Sequence, residues 1–173
     1  MNLSDLKKLL PGISPPSKTY YRLVDARYAS EIDEITHTIL YSWRYNPKGE
    51  FGVLYLSISP ECAYQEKLKQ IHGRKQDLTP QVVGTFRVKL TKCLDLTNPS
   101  FQQAINVTPA QFIDPSDFSL TQSIARQART LGFEAIIVPS AVGVDCSSLV
   151  VFKDKLTPPS YCICDEQSIR RYP

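Results

Sequence analysis

The stretch WRYNPKGEFGVLYLSISPECAYQE, residues 43–66, predicts a loop, a strand and a helix in direct succession. Residues 53–58 alternate between two faces, as a strand does when its two sides meet different surroundings. Ser59 is a favourable N-cap, and Pro60 suits the first helical position, so a helix is predicted to begin there. One face of the strand carries Leu54, Leu56 and Ile58, and the other carries Val53, Tyr55 and Ser57.

Three unlike polar residues of this stretch, Arg44, Tyr55 and Glu66, follow one another at steps of eleven residues. The spacing is not a repeat, because it places one residue on a loop, one on a strand and one on a helix. The three side chains either converge on one cleft or belong to an ordinary loop, strand and helix.

The helix after Ser59 is predicted to bury Tyr64, Leu68 and Ile71, which are spaced as one apolar stripe. At 100° per residue, Glu66 falls about 200° from Tyr64 and therefore points away from that stripe. It shares its side with the small residues Cys62 and Ala63 and with Gln70. Periodicity does not decide between a solvated glutamate and one that a ligand approaches.

The rest of the chain predicts the α+β class, with a bent or split mixed sheet flanked by helices. We expect further strands from Tyr20 and in residues 82–90, 94–96, 134–140 and 148–152, and an amphipathic helix in residues 120–132. No Gly-x-Gly-x-x-Gly follows a strand, which argues against a Rossmann site. Three segments are predicted to be less regular: residues 97–118 as a loop-rich, proline-punctuated stretch, residues 30–43 as a helix or helical turn with Asp33 in a weak capping box, and residues 156–173 as an irregular tail.

The domain organisation follows from this pattern. Residues 1–19 are predicted to be an N-terminal extension with a short helix, residues 20–155 the domain, and residues 156–173 the C-terminal tail. A length of 173 residues is typical of one domain, and the net charge of +3 is too small and too scattered to indicate nucleic-acid binding. Because neither a signal peptide nor a membrane span is apparent, a cytoplasmic protein without membrane contact is expected.

The number and spacing of the cysteines indicate free thiols and argue against a metal site or a disulfide framework. There are five, at positions 62, 93, 146, 162 and 164. The odd number and the scatter argue against a secreted disulfide framework. Cys162 and Cys164 form a C-x-C pair, but the chain has only two histidines and no second close pair that would complete a zinc site. We expect buried or half-buried thiols and no metal.

Each candidate site residue has an ordinary structural alternative. Arg44 offers a fork of donors that matches phosphate oxygens, but a lone arginine is most often a solvated surface residue. Tyr55 can stack on a flat or cationic ring, or simply pack across the sheet. Ser140 follows an apolar strand, where loops build sites. It is better suited to hydrogen bonding than to nucleophilic attack, because neither histidine is placed as its base.

Taken together, these segments resemble the RES domain family, which is named for an arginine, a glutamate and a serine. The resemblance covers roughly residues 20–152. The chain departs from the family pattern at Ser148, where the family usually has asparagine, and at Trp43, where it usually has glycine. The matching motifs are Arg44-Tyr45-Asn46-Pro47-Lys48-Gly49, Leu54-Tyr55, Glu66 eleven residues later, and Val138-Pro139-Ser140-Ala141.

The resemblance implies a fold like that of the ADP-ribosyltransferase toxins and breakdown of NAD⁺ as substrate. It also implies the toxin role in a toxin–antitoxin pair whose antitoxin carries an Xre-like helix-turn-helix domain. Homo-oligomerisation is left open. By the same resemblance, Glu66, Arg44 and Tyr55 are expected to be catalytic, and the substrate is expected to be bound by Arg44, Tyr45, Tyr55, Ser140 and Ser148.

The chemistry suits these residues because NAD⁺ already carries a good leaving group. Cleavage of the nicotinamide–ribose bond passes through an oxocarbenium-like transition state, which one carboxylate can stabilise. Two alternatives remain open at the sequence level. One is a transferase that attaches ADP-ribose to a macromolecule, and the other is a non-catalytic module that binds NAD⁺ or a partner.

Overall fold

The computed structural model describes residues 13–16, 18–143 and 145–173. Within these ranges the strands are β1 (Thr19–Asp25), β2 (Leu54–Ser57), β3 (Gln81–Lys89), β4 (Cys93–Asp95), β5 (Ala135–Pro139), β6 (Ser147–Val151) and β7 (Tyr161–Arg171). The α-helices are α1 (Thr36–Ile39), α2 (Pro60–Gln70), α3 (Pro99–Ala104), α4 (Pro109–Phe112) and α5 (Ser119–Thr130). Short 3-10 turns occur at Ala26–Glu31, Lys75–Asp77 and Lys153–Lys155.

The strands form one seven-stranded sheet in the order β4-β5-β6-β2-β1-β3-β7. Neighbouring strands run antiparallel, apart from the parallel pair of β4 and β5. The predicted α+β class with a mixed sheet flanked by helices is therefore confirmed. No helix in the described residues is both long enough and apolar enough to cross a membrane.

The alternation of β2 separates two apolar layers, as its sequence predicts. Leu54 and Leu56 join a core on one side of the sheet. Val53 joins the core on the other side, with Tyr55 packed against it. The helices α3, α4 and α5 supply Phe101, Phe112, Ile124, Ala125 and Ala128 to this second core.

The helix α2 covers the same side of the sheet as α3–α5, but further along it. Its Ala63 packs with Leu23 of β1 and Val83 of β3. In register, Leu23 lies opposite Val83, and Tyr21 lies opposite Ser57 of β2. Because directly opposed residues share a face, α2 and the α3–α5 layer lie on one side of the sheet, with α2 against β1 and β2, and α4 and α5 against β5.

The ends of the helices follow local sequence signals. The Ser59 side chain accepts a hydrogen bond from the Cys62 N–H, and Pro60 is the first residue of α2. The glycines after α2 and α5, Gly73 and Gly132, have φ of +75° and +76°. This left-handed conformation ends a helix at little cost only when the residue lacks a Cβ.

The C-terminal segment contradicts the expectation of an irregular tail. Residues Tyr161–Arg171 form the edge strand β7, which pairs with β3. Its first four residues alternate, with Cys162 and Cys164 facing the core and Tyr161 and Ile163 exposed, and the alternation is lost in the polar residues that follow. The charged and polar residues that follow Cys164 gave no strand signal, and the pairing with β3 spans about half of the chain.

Two other segments also differ from expectation. Of the helix or helical turn predicted after Ser30, the turn is present as the single-turn α1, preceded by the 3-10 turn Ala26–Glu31, but Asp33 pairs with Lys153 instead of capping. Two short helices, α3 and α4, lie within residues 98–118, each beginning with a proline. The helix expected in residues 3–10 lies outside the described residues, and the division into extension, domain and tail remains a prediction.

Candidate functional site

Glu66 meets two serine hydroxyls in the region between α2 and the sheet. The Ser140 hydroxyl donates to Glu66 Oε1 at 2.6 Å, and the Ser148 hydroxyl donates to the same oxygen at 3.2 Å. Ser140 follows β5, and Ser148 lies in β6 opposite both Ser57 of β2 and Val138 of β5. The sheet thus presents two donors to one carboxylate oxygen carried by a helix.

The inward position of Glu66 reflects a buried face of α2 that differs from the predicted one. The buried residues are Cys62, Ala63 and Leu68, whereas Tyr64 and Ile71 are only partly buried. The contact face is therefore rotated toward Cys62, and Glu66, one turn after Cys62, turns toward the sheet. The prediction that Tyr64 and Ile71 belong to the buried stripe is wrong, whereas Glu66 does lie on the side of Cys62 and Ala63, where small residues allow the helix to lie close to the sheet.

Tyr55 holds the loop that precedes β2. Its hydroxyl donates to Asn46 Oδ1 at 2.9 Å and accepts from the Tyr45 N–H at 3.0 Å. Asn46 is fully buried, and its amide group also donates to the Thr38 carbonyl at 2.6 Å and to the Tyr41 carbonyl at 3.1 Å. Burial raises the pKa of Tyr55, so this phenol keeps its proton at neutral pH and remains a donor.

Backbone carbonyls hold one nitrogen of the Arg44 guanidinium. Its Nη1 donates to the Phe112 carbonyl at 3.2 Å and to the Asp114 carbonyl, and the guanidinium lies 5.1 Å from the centre of the Phe118 ring. The Arg44 carbonyl accepts from the Thr121 hydroxyl, which fixes the backbone against α5. Within the described residues, Nε and Nη2 have no hydrogen bond and no carboxylate pairs with Arg44. That edge of the fork is available for an anion.

Contacts place Tyr55 near both Arg44 and Glu66. The Tyr55 hydroxyl accepts from the N–H of the residue after Arg44, and the strand residue two after Tyr55 lies opposite Ser148, which bonds Glu66. The positive charge of Arg44 acts to lower the pKa of Tyr55, and the negative charge of Glu66 acts to raise it, although burial is the larger cause. The sequence-predicted triad is therefore brought into one neighbourhood, with Ser140 and Ser148 on Glu66.

Tyr45 is the predicted site residue that the structure places deepest. Its ring belongs to the helix-covered core and is 1% exposed. Its hydroxyl is buried and has no hydrogen-bond partner within the described residues. Burial raises the pKa of Tyr45, so the phenol is neutral. Its predicted contact with substrate stays a prediction.

Three further residues belong to this neighbourhood and were not singled out as site residues by sequence. Asn46 links Tyr55 to α1, and Ser57 lies directly opposite Ser148 on the site face. Lys67 is half-buried beside Glu66, and burial lowers its pKa, with the charge of Arg22 acting in the same direction. The alternation of β2 placed Ser57 on the correct face, but a lysine in a helix carries no signal of burial.

A disulfide joins Cys62 to Cys146, across a sequence separation of 84 residues. The expectation of thiols is wrong for these two cysteines and holds for Cys93, Cys162 and Cys164, which are free and buried. The bond links the first turn of α2 to the segment between Ser140 and Ser148. Spacing along the chain gave no indication of it, because only the packing of α2 on the sheet brings the two sulfurs together.

No group of three or more His, Cys, Asp or Glu side chains is placed to hold a metal ion in the part of the chain that the structure describes. The donors around Glu66 are serine hydroxyls, which suit hydrogen bonding to a carboxylate or a ribose.

The comparisons with known proteins give a family and a fold. In fold, the chain is similar to a chain in the crystal structure of the M. tuberculosis MbcT–MbcA toxin–antitoxin complex, with a TM-score of 0.77 and 22% sequence identity. The match covers 98% of this chain and 91% of that one. A search of curated proteins returned no significant match. The model of the RES domain matches residues 19–170, and the chain therefore belongs to the RES domain family.

Proposed function

We propose that this protein degrades NAD⁺ by cleaving the bond between nicotinamide and ribose. The observation that carries the proposal is the Glu66 carboxylate, which accepts hydrogen bonds from Ser140 and Ser148 on the sheet face that also carries Tyr55. A fixed carboxylate beside an aromatic ring and an arginine fork matches the three parts of this substrate: a ribose that becomes cationic, a nicotinamide ring and a diphosphate.

The proposed reaction breaks the bond between the nicotinamide nitrogen and C1′ of the ribose. The bonding electron pair leaves with nicotinamide, which becomes neutral, so no general acid is required. The ribose develops oxocarbenium character, and the Glu66 carboxylate stabilises that charge and accepts hydrogen bonds from the ribose hydroxyls. Water or phosphate then supplies the electron pair for the new bond at C1′, and the proton that water loses on bonding is released to the solvent.

The remaining residues position the substrate. The Nε–Nη2 edge of Arg44 binds the diphosphate, while Nη1 keeps its bonds to the Phe112 and Asp114 carbonyls. Tyr55 offers its half-buried ring to nicotinamide, and its hydroxyl stays engaged with Asn46. Because this hydroxyl is already used on both sides, Tyr55 acts through its ring.

The biological role that we propose is that of a cytoplasmic toxin in a toxin–antitoxin pair. Membership of the RES family and the likeness to a chain of the MbcT–MbcA toxin–antitoxin complex support this role. The partner is an antitoxin protein, for which we propose an Xre-like helix-turn-helix domain. The likeness to ADP-ribosyltransferase folds belongs to the same proposal.

The test is the loss of NAD⁺ with time in the presence of purified protein, with and without phosphate. Glu66→Gln is expected to lower the rate at least about a hundredfold, as is typical when a stabilising group for transition-state charge is lost. Glu61→Gln is the matched control, because Glu61 lies on the same helix but is exposed and bonds Gln65 and Tyr172.

The products distinguish the outcomes. Free ADP-ribose identifies water as the acceptor, and a phosphorylated ADP-ribose that requires phosphate identifies phosphorolysis. Label transferred to protein or nucleic acid would instead identify a transferase. Binding of NAD⁺ without turnover, or a Glu66→Gln variant as active as the parent, would overturn the proposal.

A further inference from the structure

The Ser148 hydroxyl is held in one position and donates its hydrogen bond to Glu66. The residue is buried in the middle of the sheet, with β2 on one side and β5 on the other. Its side chain lies on the face that carries Tyr55 and Ser57, and its hydroxyl donates to Glu66 Oε1. Strand pairing on both sides leaves the Ser148 Cβ little freedom to move, so this donor is more rigidly placed than one on a loop.

A serine hydroxyl has a single proton to donate. Ser148 donates this proton to Glu66. Toward a ligand, its oxygen can then only accept a hydrogen bond. It is therefore unable to donate to the carboxamide oxygen of nicotinamide or to a phosphate while it holds the carboxylate. This argues against the substrate-binding role that the family resemblance implies for Ser148.

From this geometry we infer that Ser148 is a positioning residue that acts through Glu66. With Ser140, which follows β5, it fixes Oε1 from two directions, and the carboxylate then has one defined orientation. Oε2, which has no hydrogen bond within the described residues, is the oxygen directed to the substrate. The inference rests on the proposed function for its catalytic meaning, but the contact between Ser148 and Glu66 is testable without any turnover.

Two hydrogen-bond donors to one oxygen restrict the orientation of the carboxylate more than a single donor does. A single hydrogen bond leaves the carboxylate free to rotate about the line that joins donor and acceptor. The Ser140 bond, at 2.6 Å, is the shorter, and the Ser148 bond, at 3.2 Å, adds the second direction. Loss of Ser148 should therefore disorder the carboxylate without detaching it. The expected consequence is a less frequent productive orientation, which lowers kcat, with little change in the binding of the substrate.

The kinetic experiment compares Ser148→Ala with Ser148→Thr, which keeps the hydroxyl. Ser147→Ala is the matched control, because Ser147 is the neighbouring residue of β6 and its side chain lies on the other face. Ser148→Ala is expected to lower kcat about tenfold, with KM within about twofold of the parent, and Ser148→Thr is expected to recover most of kcat. A raised KM with unchanged kcat in Ser148→Ala would assign Ser148 to the substrate and overturn the inference.

A second measurement is independent of activity and of the fit of threonine. The protein is labelled with ¹³C at the glutamate side-chain carboxyls, and the Glu66 signal is assigned by its absence in Glu66→Gln. In ligand-free protein, Ser148→Ala is expected to move the Glu66 signal, whereas Ser147→Ala leaves it in place. An unmoved signal in Ser148→Ala overturns the inference. A moved signal in a protein that does not consume NAD⁺ upholds the contact and places the failure with the proposed function.

Discussion

The two ends of α5 each hold an arginine over an aromatic ring, but the two arginines are used differently. Arg129, near the C-terminal end, bonds both oxygens of Asp154 at 2.7 Å and lies 4.2 Å from the centre of the Phe51 ring. Arg44 lies beside the N-terminal end, where Phe118 packs against it and one of its nitrogens bonds backbone carbonyls.

This comparison indicates that Arg44, and not Arg129, has donors available to bind a ligand. The charge of Arg129 is neutralised by Asp154, and both of its terminal nitrogens are occupied. Arg44 has no ion pair within the described residues, and its Nε and Nη2 have no hydrogen-bond partner there, although its charge acts to lower the pKa of Asp114. Carbonyl oxygens hold its position without cancelling its charge, which is the arrangement expected of a group that binds an anion.

The sharpest test of this comparison is Arg44→Ala. We expect kcat/KM for NAD⁺ to fall about 10³-fold, because a desolvated charge pair with the diphosphate is lost. Steady-state kinetics measure the loss, and calorimetric titration of the inactive Glu66→Gln background measures the binding part. Arg44→Lys should recover only part of it, since a lysine keeps the charge but not the fork. Unchanged NAD⁺ affinity in a folded Arg44→Ala would contradict the phosphate role.

The disulfide between Cys62 and Cys146 links two segments beside the site. Replacing both Cys62 and Cys146 by serine should lower the free energy of unfolding by about 4.5 kcal/mol, because the bond closes a loop of 84 residues. Urea unfolding followed by fluorescence gives the value. A dithiol reductant should weaken the parent by a similar amount and leave the double variant unchanged. Equal sensitivity of both proteins to the reductant would show that the bond does not brace the fold.

At the C-terminal end of α5, we expect an effect on stability and none on substrate binding. Arg129→Ala should lower the free energy of unfolding by about 2 kcal/mol, since the guanidinium covers two aromatic rings and bonds Asp154. KM for NAD⁺ should not change. Thermal unfolding and kinetics on the same preparation check both parts. A marked rise in KM would mean that Arg129, too, contributes to substrate binding.

The smallest effects are expected from a matched pair of tyrosines. Tyr55→Phe should cost about 1 kcal/mol, because the Tyr45 N–H and Asn46 Oδ1 lose their partner. Tyr45→Phe removes a buried hydroxyl that has no hydrogen-bond partner among the described residues, and it should be neutral or slightly stabilising. Denaturant midpoints compare the two. A larger cost for Tyr45→Phe would reveal a partner for that hydroxyl.

Much of the site could be predicted from sequence because its signals are local. The alternation in residues 53–58 depends only on which side chains are apolar, and it put Tyr55 and Ser57 on the correct face. The start of α2 depends on Ser59 and Pro60, whose effects act within one turn. The motif spacing then named Arg44, Tyr55, Glu66 and Ser140, which the structure brings into one neighbourhood.

The orientation of Glu66 was not predictable, because it depends on how closely α2 approaches the sheet. Periodicity places side chains around a helix axis but does not say which side meets a neighbour. The small side chains of Cys62 and Ala63, and the disulfide to Cys146, decided the matter. The same holds for β7, whose strand becomes evident only through its pairing with β3.

By itself, the sequence determined the succession of loop, strand and helix and the residue types that the chemistry requires, since these follow from the nearest neighbours along the chain. Only the tertiary structure decided which groups meet. The two serines on one oxygen of Glu66, the carbonyls that hold Arg44, and the bond between Cys62 and Cys146 all join residues at least 68 positions apart. Contacts at such separations are set by the packing of complete elements, which no local pattern encodes.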